Sequence, residues 1–239
     1  MTTAAGLWVY LSTSPLLWLT LTLAAYAVAD LIARAFKRHP LANQVIIAVA
    51  LVIAALEVSR TPFNTYFEGA QFVHFLLGPA TVALAIPLVE NWGRVRRSLV
   101  PILIALAAGS LTAIVTAVGT AALLGAPRPI LASIAEKSVT TPIAMGIAEQ
   151  IGGIPSLTAV LVILTGVLGA ILVTPLMDVL RVRDYAARGF AAGVASHGIG
   201  TARAFPVTDL AGTFSGLAMA LNGILTAMLV PLLAGLFGG

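Results

Sequence analysis

Charge is nearly absent from this chain outside a few short stretches, and that feature rules out most folds. Asp, Glu, Lys and Arg make up 9% of the 239 residues, whereas a soluble domain carries about 25%. Between the charged stretches lie apolar segments at 4–33, 43–57, 70–90, 98–125, 130–150, 157–179, 186–206 and 211–237. A water-soluble fold of this composition would have too little polar surface to cover itself. Apolar runs of about twenty residues that do not alternate with period two read as membrane helices, not barrel strands. The expected fold class is an all-α integral membrane protein. It would be a multi-helix bundle with broken or re-entrant helices, forming one transmembrane domain over 1–239 in a lipid bilayer.

Several functions are set aside on composition. There is no Cys, and His39, His74 and His197 lie far apart, so neither a metal centre nor a cofactor is expected. The net charge of +4 does not imply nucleic acid, because Lys and Arg collect in short loops as the positive-inside rule requires. The first residues lack a basic stretch followed by a small-residue cleavage site, so no cleaved signal peptide is expected. No nucleophile, base and orienting group recur together, and no phosphate-binding loop appears, so the chain is not expected to be an enzyme.

Two segments resemble each other. Phe75-Leu-Leu-Gly78-Pro-Ala80-Thr81 and Phe190-Ala-Ala-Gly193-Val-Ala195-Ser196 share F-x-x-G-x-A-[ST] and lie 115 residues apart. That offset lays apolar segments on apolar segments and divides the chain into halves of about 15–125 and 130–239, a two-fold repeat of the kind common in secondary transporters. The basic loops at 34–39, 94–97 and 181–188 should share the cytoplasmic side. They cannot if every segment spans. They can if 130–150 enters and returns on one side, which also inverts the halves. The first apolar segment, with Pro15 in its middle, fits either one long helix or a hairpin. The side of the N-terminus stays open.

Three polar interruptions break the apolar segments. At the first, Pro79 and Thr81 sit in a stretch that ends at Pro87. A proline removes a helix hydrogen bond, so the site is either a simple kink or a broken helix lining a cavity. The second is Glu136-Lys137-Ser138-Val139-Thr140-Thr141-Pro142. Thr141 as N-cap and Pro142 in the first turn would start a helix whose free amides point back at Ser138, Thr140 and Thr141. Lys137 adds a full charge, making a site for an anion. The competing reading is a solvated Glu136–Lys137 loop pair with hydroxyls that only cap.

The third interruption is Gly193 to Pro206. Its glycines each cost about 1 kcal/mol in a helix interior. Ser196 is expected to cap a half-helix beginning near His197 and Gly198. His197 and Arg203 would reach one cavity if the helix unwinds at the glycines, and Thr201, the other hydroxyls, Lys137 and Arg203 would then make one compact site for a small anion. Ionisable groups inside membrane segments usually mark a functional path. His197 titrates near neutral pH and is the candidate for carrying a coupled proton. The alternatives are a snorkelling Arg203 and a His197 that only packs helices together.

The stretches FLLGPATVALAIPL (75–88), KSVTTPIAMGIAEQIGG (137–153) and ASHGIGTARAF (195–205) resemble the signatures of the LrgB family, which includes CidB and YohK. The resemblance covers most of the chain and implies two functions. One is a secondary carrier of small monocarboxylates and hydroxy acids, of the pyruvate, glycolate and glycerate class. It is similar to the second half of a plastid glycolate/glycerate translocator. The other is a holin- or antiholin-like regulator of murein hydrolase activity and autolysis. The resemblance further implies a multi-pass protein of the bacterial inner membrane, an LrgA-like small membrane partner and a homo-oligomer. An elevator or rocking movement is expected from the architecture.

Overall fold

In the computed structural model the chain is described at residues 14–37, 39, 42–76, 79, 82–83 and 85–236. It forms two compact units, residues 1–83 and 84–239. Every regular element among the described residues is helical. Among the described residues four helices are long and apolar enough to cross a membrane: Pro15–Ala35, Leu99–Leu123, Pro155–Val179 and Asp209–Leu233. Their outward faces present large apolar side chains such as Leu103, Ile104, Val115, Leu164, Leu172 and Leu232, which suits a hydrocarbon solvent.

In the first unit, α1 (Pro15–Ala35) packs on α2 (Gln44–Ser59) and α3 (Phe63–Phe75). Pro15 stands in the first turn of α1 after the extended Ser14, so it starts this helix instead of breaking a longer one. Trp18 is fully buried, edge-on to Tyr66 at 6.1 Å. Gly69 lets α3 approach the Pro15 carbonyl so closely that a side chain there would collide with it. Asn43 caps α2 by accepting from Val45 N–H at 2.8 Å.

The second unit begins with short helices α4 (Ala85–Glu90) and α5 (Trp92–Arg97). It is then built on α6 (Leu99–Leu123), α7 (Arg128–Ile134), α8 (Thr141–Ile151), α9 (Pro155–Val179), α10 (Tyr185–Ala204) and α11 (Asp209–Leu233). α6, α9 and α11 run the full length of the bundle. The elements between them do not.

α7 and α8 form a hairpin that enters and leaves at one end. Leu131 of α7, Ile147 of α8, Ile114 of α6 and Val230 of α11 share one cluster, joined by Ala126 and Ile151 at the hairpin's two outer ends. Ser133 then fastens the hairpin to the start of α9. Its hydroxyl accepts from Ile154 N–H at 2.7 Å, and its carbonyl accepts from the Thr158 hydroxyl at 3.1 Å. The turn reaches the middle of α11, where Asn222 Nδ2 donates to the Ser138 carbonyl at 3.2 Å. The re-entrant segment expected at 130–150 is thus present. Its returning helix starts one residue earlier than expected: Thr140, not Thr141, is the N-cap, and its side chain makes no cap bond.

α10 is also a hairpin, entering from the opposite end. Its legs, 185–196 and 198–204, meet at His197, whose backbone (φ 41°, ψ −133°) reverses the chain. Gly200 of the second leg packs back on the Ala192 carbonyl and Ser196 Cβ of the first. The first leg runs alongside α11, with Gly189 on Ala211 and Gly193 on Ser215. The second leg descends it: Gly198 lies near Met219, Thr201 bonds to Ser215, and Phe205 covers Gly212. In a continuous helix, positions 192 and 200 would stand about 12 Å apart. The segment 186–206 is therefore not one crossing. Its reversal falls on a histidine in a left-handed conformation, not on a flanking glycine, and Ser196 does not cap the following leg.

The chain therefore passes α6, a hairpin from the far end, α9 back, a hairpin from the near end, and α11. Arg94, Arg96 and Arg97 before α6 and Arg181, Arg183 and Arg188 around the start of α10 fall at the same end. This is the sidedness the positive-inside rule demands.

Candidate functional site

The two hairpin turns meet near the middle of the second unit, and one side chain holds both. Asn222 is 1% exposed in the centre of α11. Its Nδ2 donates to the Ser138 carbonyl and to the Val194 carbonyl, each at 3.2 Å, and its Oδ1 accepts from the Ser110 hydroxyl of α6. Both carbonyls belong to backbone where helices end or reverse. Such groups have no intrahelical partner and, away from water, need another donor. Asn222 supplies it. The sequence reading passed over this residue. The available signal was a lone carboxamide in the middle of a membrane-length apolar helix.

Above this junction lies a groove of about 900 Å³ between α6, α9, the first leg of α10 and the start of α11. Its outer part carries Arg94, Ser98 and Asp184, and its inner part Lys137, Ser138, Thr165 and Ala195. Ser98 to Ala113 of α6 run along it, a length of about 20 Å. The walls are mostly apolar, with Ile102, Leu168, Phe190 and Phe214. Arg94 and Asp184, both exposed, line it at the arginine end, and Ala105, Leu168 and Ala195 are exposed along its length. Its floor is the turn of the first hairpin, where Lys137 Nζ donates to Ser138 Oγ at 3.2 Å. The dipole of α8 has its positive end at this turn, adding to the ammonium charge.

The structure brings only some of the sequence-predicted residues to this groove. Lys137 and Ser138 line it, while Thr140 and Thr141 lie at the start of α8 behind them. Ser196 and His197 are buried against α9. The His197 ring covers Gly166 and its Nε2 is 3.0 Å from the Val162 carbonyl oxygen, whereas Ser196 Oγ fits over Gly169 with no hydrogen-bond partner among the described residues. These are contacts that the helix-packing alternative for His197 expects. Gly198 lies near Met219. Thr201 is buried, donating to the His197 carbonyl at 2.9 Å, with the Ser215 hydroxyl also at 2.9 Å. Arg203 lines a separate cavity of about 100 Å³ with Tyr185, Arg188 and Met177. Lys137 and Arg203 therefore line different cavities, because the α10 reversal carries Arg203 back toward the near end. Pro79 is an exposed helical residue of the first unit, and Thr81 lies outside the described residues. Arg94 and Asp184 were read from sequence only as loop charges, yet they stand at the mouth of the groove.

These features define a multi-pass helical membrane protein whose second unit holds two opposed re-entrant hairpins. The chain belongs to the LrgB-like family, which matches residues 22–236. It is 36% identical over 219 residues to the uncharacterised protein YxaC of Bacillus subtilis, covering 91% of this chain and 94% of that protein. It is 34% identical over 215 residues to YwbG of the same organism, covering 90% and 95%. It is also 29% identical over 219 residues to the antiholin-like protein LrgB of Bacillus mycoides, covering 92% and 95%. No solved structure matches.

Proposed function

We propose that the chain is a secondary carrier of small monocarboxylates and hydroxy acids, not an enzyme, and that it works in a bacterial inner membrane. The observation that carries this reading is the half-depth groove that ends on Lys137 at the turn of a re-entrant hairpin. An ammonium at the floor of a mostly apolar groove suits an anion with one charge and little else to solvate. Opposed hairpins that meet at mid-bundle are the discontinuous elements around which alternating access is commonly built. A homo-oligomer would supply the scaffold against which the hairpins move, and an LrgA-like membrane protein is the proposed partner.

The relatives named antiholin-like support a second reading, a regulator of autolysis that acts through assembly. Proteoliposome uptake of labelled pyruvate and glycolate separates the two readings. The wild type and Lys137→Gln are compared with and without a pH gradient, each alone and with an LrgA-type partner. A carrier gives saturable uptake that Lys137→Gln weakens about 100-fold. No uptake of either acid by folded protein with its partner present would favour the assembly reading.

A further inference from the structure

Glu136 precedes the groove lysine and has no role in the reading above. Its side chain is 0% exposed. The Thr158 hydroxyl and the Glu136 N–H lie beside the carboxyl, but neither carboxyl oxygen completes a hydrogen bond among the described residues, and the Thr158 hydroxyl donates to the Ser133 carbonyl. Lys137 turns the other way, into the groove and onto Ser138. Two adjacent residues of opposite charge are thus held apart, one in the groove and one behind it.

An ionised carboxylate left without water, donor or counter-ion is among the most expensive groups a fold can bury. With Lys137 turned away, the group that fits this place is the undissociated acid. Among the described residues no other charge is at hand to compensate. On the elements packed against this turn, Arg128 lies at the outer start of α7, Glu149 near the outer end of α8, and Asp178 at the last turn of α9, at the near end beside Arg188. α6 has no charged residue. His197 lies on α9 at Val162, about one turn beyond Thr158, with Nε2 already at the Val162 carbonyl.

We infer that Glu136 is a proton-binding site whose occupancy decides whether Lys137 is free to hold a carboxylate in the groove. The inference rests on the carrier reading for its transport consequence. When Glu136 carries a proton, the Lys137 ammonium has no competing anion and takes the substrate carboxylate. When the proton leaves as a hydrated proton, the Glu136 carboxylate claims the ammonium of its neighbour and the substrate loses its partner. One O–H bond forms or breaks at the Glu136 carboxyl, and no redox change is involved. One proton then travels with one carboxylate, so the loaded turn gains no net charge on crossing. This assigns to Glu136 the coupling task that the sequence alone placed on His197.

Two readouts on the full-length chain in liposomes test it. The first is infrared spectroscopy of the carboxylic acid C=O stretch at neutral pH, comparing wild type, Glu136→Gln and Glu136→Asp. An acid band that Glu136→Gln removes and Glu136→Asp restores at a shifted frequency is expected. Its absence from folded wild type overturns the proposal. The second readout is pyruvate transport. Glu136→Gln should keep pyruvate–pyruvate exchange but lose pH-driven accumulation and pyruvate-coupled proton entry by about tenfold or more. Accumulation equal to wild type would overturn the coupling role. An acid band at Glu136 in a wild type that moves neither pyruvate nor glycolate would keep the proton site and remove the carrier reading.

Discussion

The two hairpins of the second unit solve one problem in different ways. Each must reverse the chain inside the bundle and leave no backbone group stranded. The α7–α8 hairpin uses a six-residue turn, 135–140, between its helices, and that length leaves room for an ammonium, a carboxyl and a hydroxyl. The α10 hairpin reverses at one residue, His197, with φ of 41°. A non-glycine held in such a conformation costs about 1–3 kcal/mol and persists only where its surroundings over-determine it. Here the ring over Gly166, the Val162 carbonyl and the glycine-lined legs do so. The wide turn has space for chemistry. The tight turn spends its polar groups on holding its own shape.

The comparison is broken most directly through glycine. A Cβ at Gly193 in the tight hairpin would overlap the Ser215 carbonyl and stand 2.8 Å from Ala218 Cβ. A backbone carbonyl cannot move aside, so Gly193→Ala should lower stability by about 3 kcal/mol, the upper part of the overpacking range. At Gly146, inside α8 of the wide hairpin, an added methyl would meet nothing within 4 Å. Gly146→Ala should raise stability by about 0.5–1 kcal/mol through helix propensity. Thermal unfolding in detergent micelles reads both. Equal effects would mean that the two hairpins are packed alike.

Next in size is the contrast between Lys137 and Ser196. Losing a charge-assisted partner costs about 2–3 kcal/mol, so Lys137→Gln should weaken carboxylate uptake about 100-fold. Ser196 Oγ is buried without a hydrogen-bond partner among the described residues, so Ser196→Ala removes only a desolvated hydroxyl and should leave both uptake and stability near wild type. A large loss of uptake in Ser196→Ala, with stability unchanged, would put chemistry in the tight turn.

Asn222 is what the two turns share. Asn222→Leu leaves the Ser138 and Val194 carbonyls and the Ser110 hydroxyl without their partner. The expected loss is about 1–2 kcal/mol, measured by the same unfolding assay. Ser110→Ala in the Asn222→Leu background should add little, because its partner is already gone. Additive losses would show that Ser110 acts independently of the junction.

How much of this was legible follows the same division. The wide hairpin announced itself locally, with charges in the middle of an apolar segment, hydroxyls before Pro142 and loop charges that could not otherwise share a side. The tight hairpin did not. Its glycines read as helix breakers, whereas Gly193 and Gly200 are contact points for neighbouring backbone. Which residue would take the positive φ depended on tertiary packing against α9, and no local pattern favours histidine there. Asn222 escaped notice because its partners lie 28 to 112 residues away. The groove needed the same long-range register before Arg94 and Asp184 could be placed beside it.

Arg203 gives the smallest expected effect and the sharpest separation of the two regions. From sequence, Arg203 and Lys137 were both expected to line one anion site. The reversal at His197 instead returns Arg203 to the near end, beside Tyr185 and Arg188, in a cavity of about 100 Å³ that Lys137 does not line. Arg188 there is already bonded to the Asp178 carboxylate and, through Nε, to the Val182 carbonyl at 2.6 Å. Arg203→Gln therefore removes a cation from the flank of the tight hairpin, not from the groove. Uptake of pyruvate should stay within about threefold of wild type, the scale of a screened charge at a distance. Its pH dependence should not change. A loss as deep as that of Lys137→Gln would mean that the second leg of α10 straightens during transport and carries Arg203 to the substrate, so that the tight turn too has a part in the chemistry.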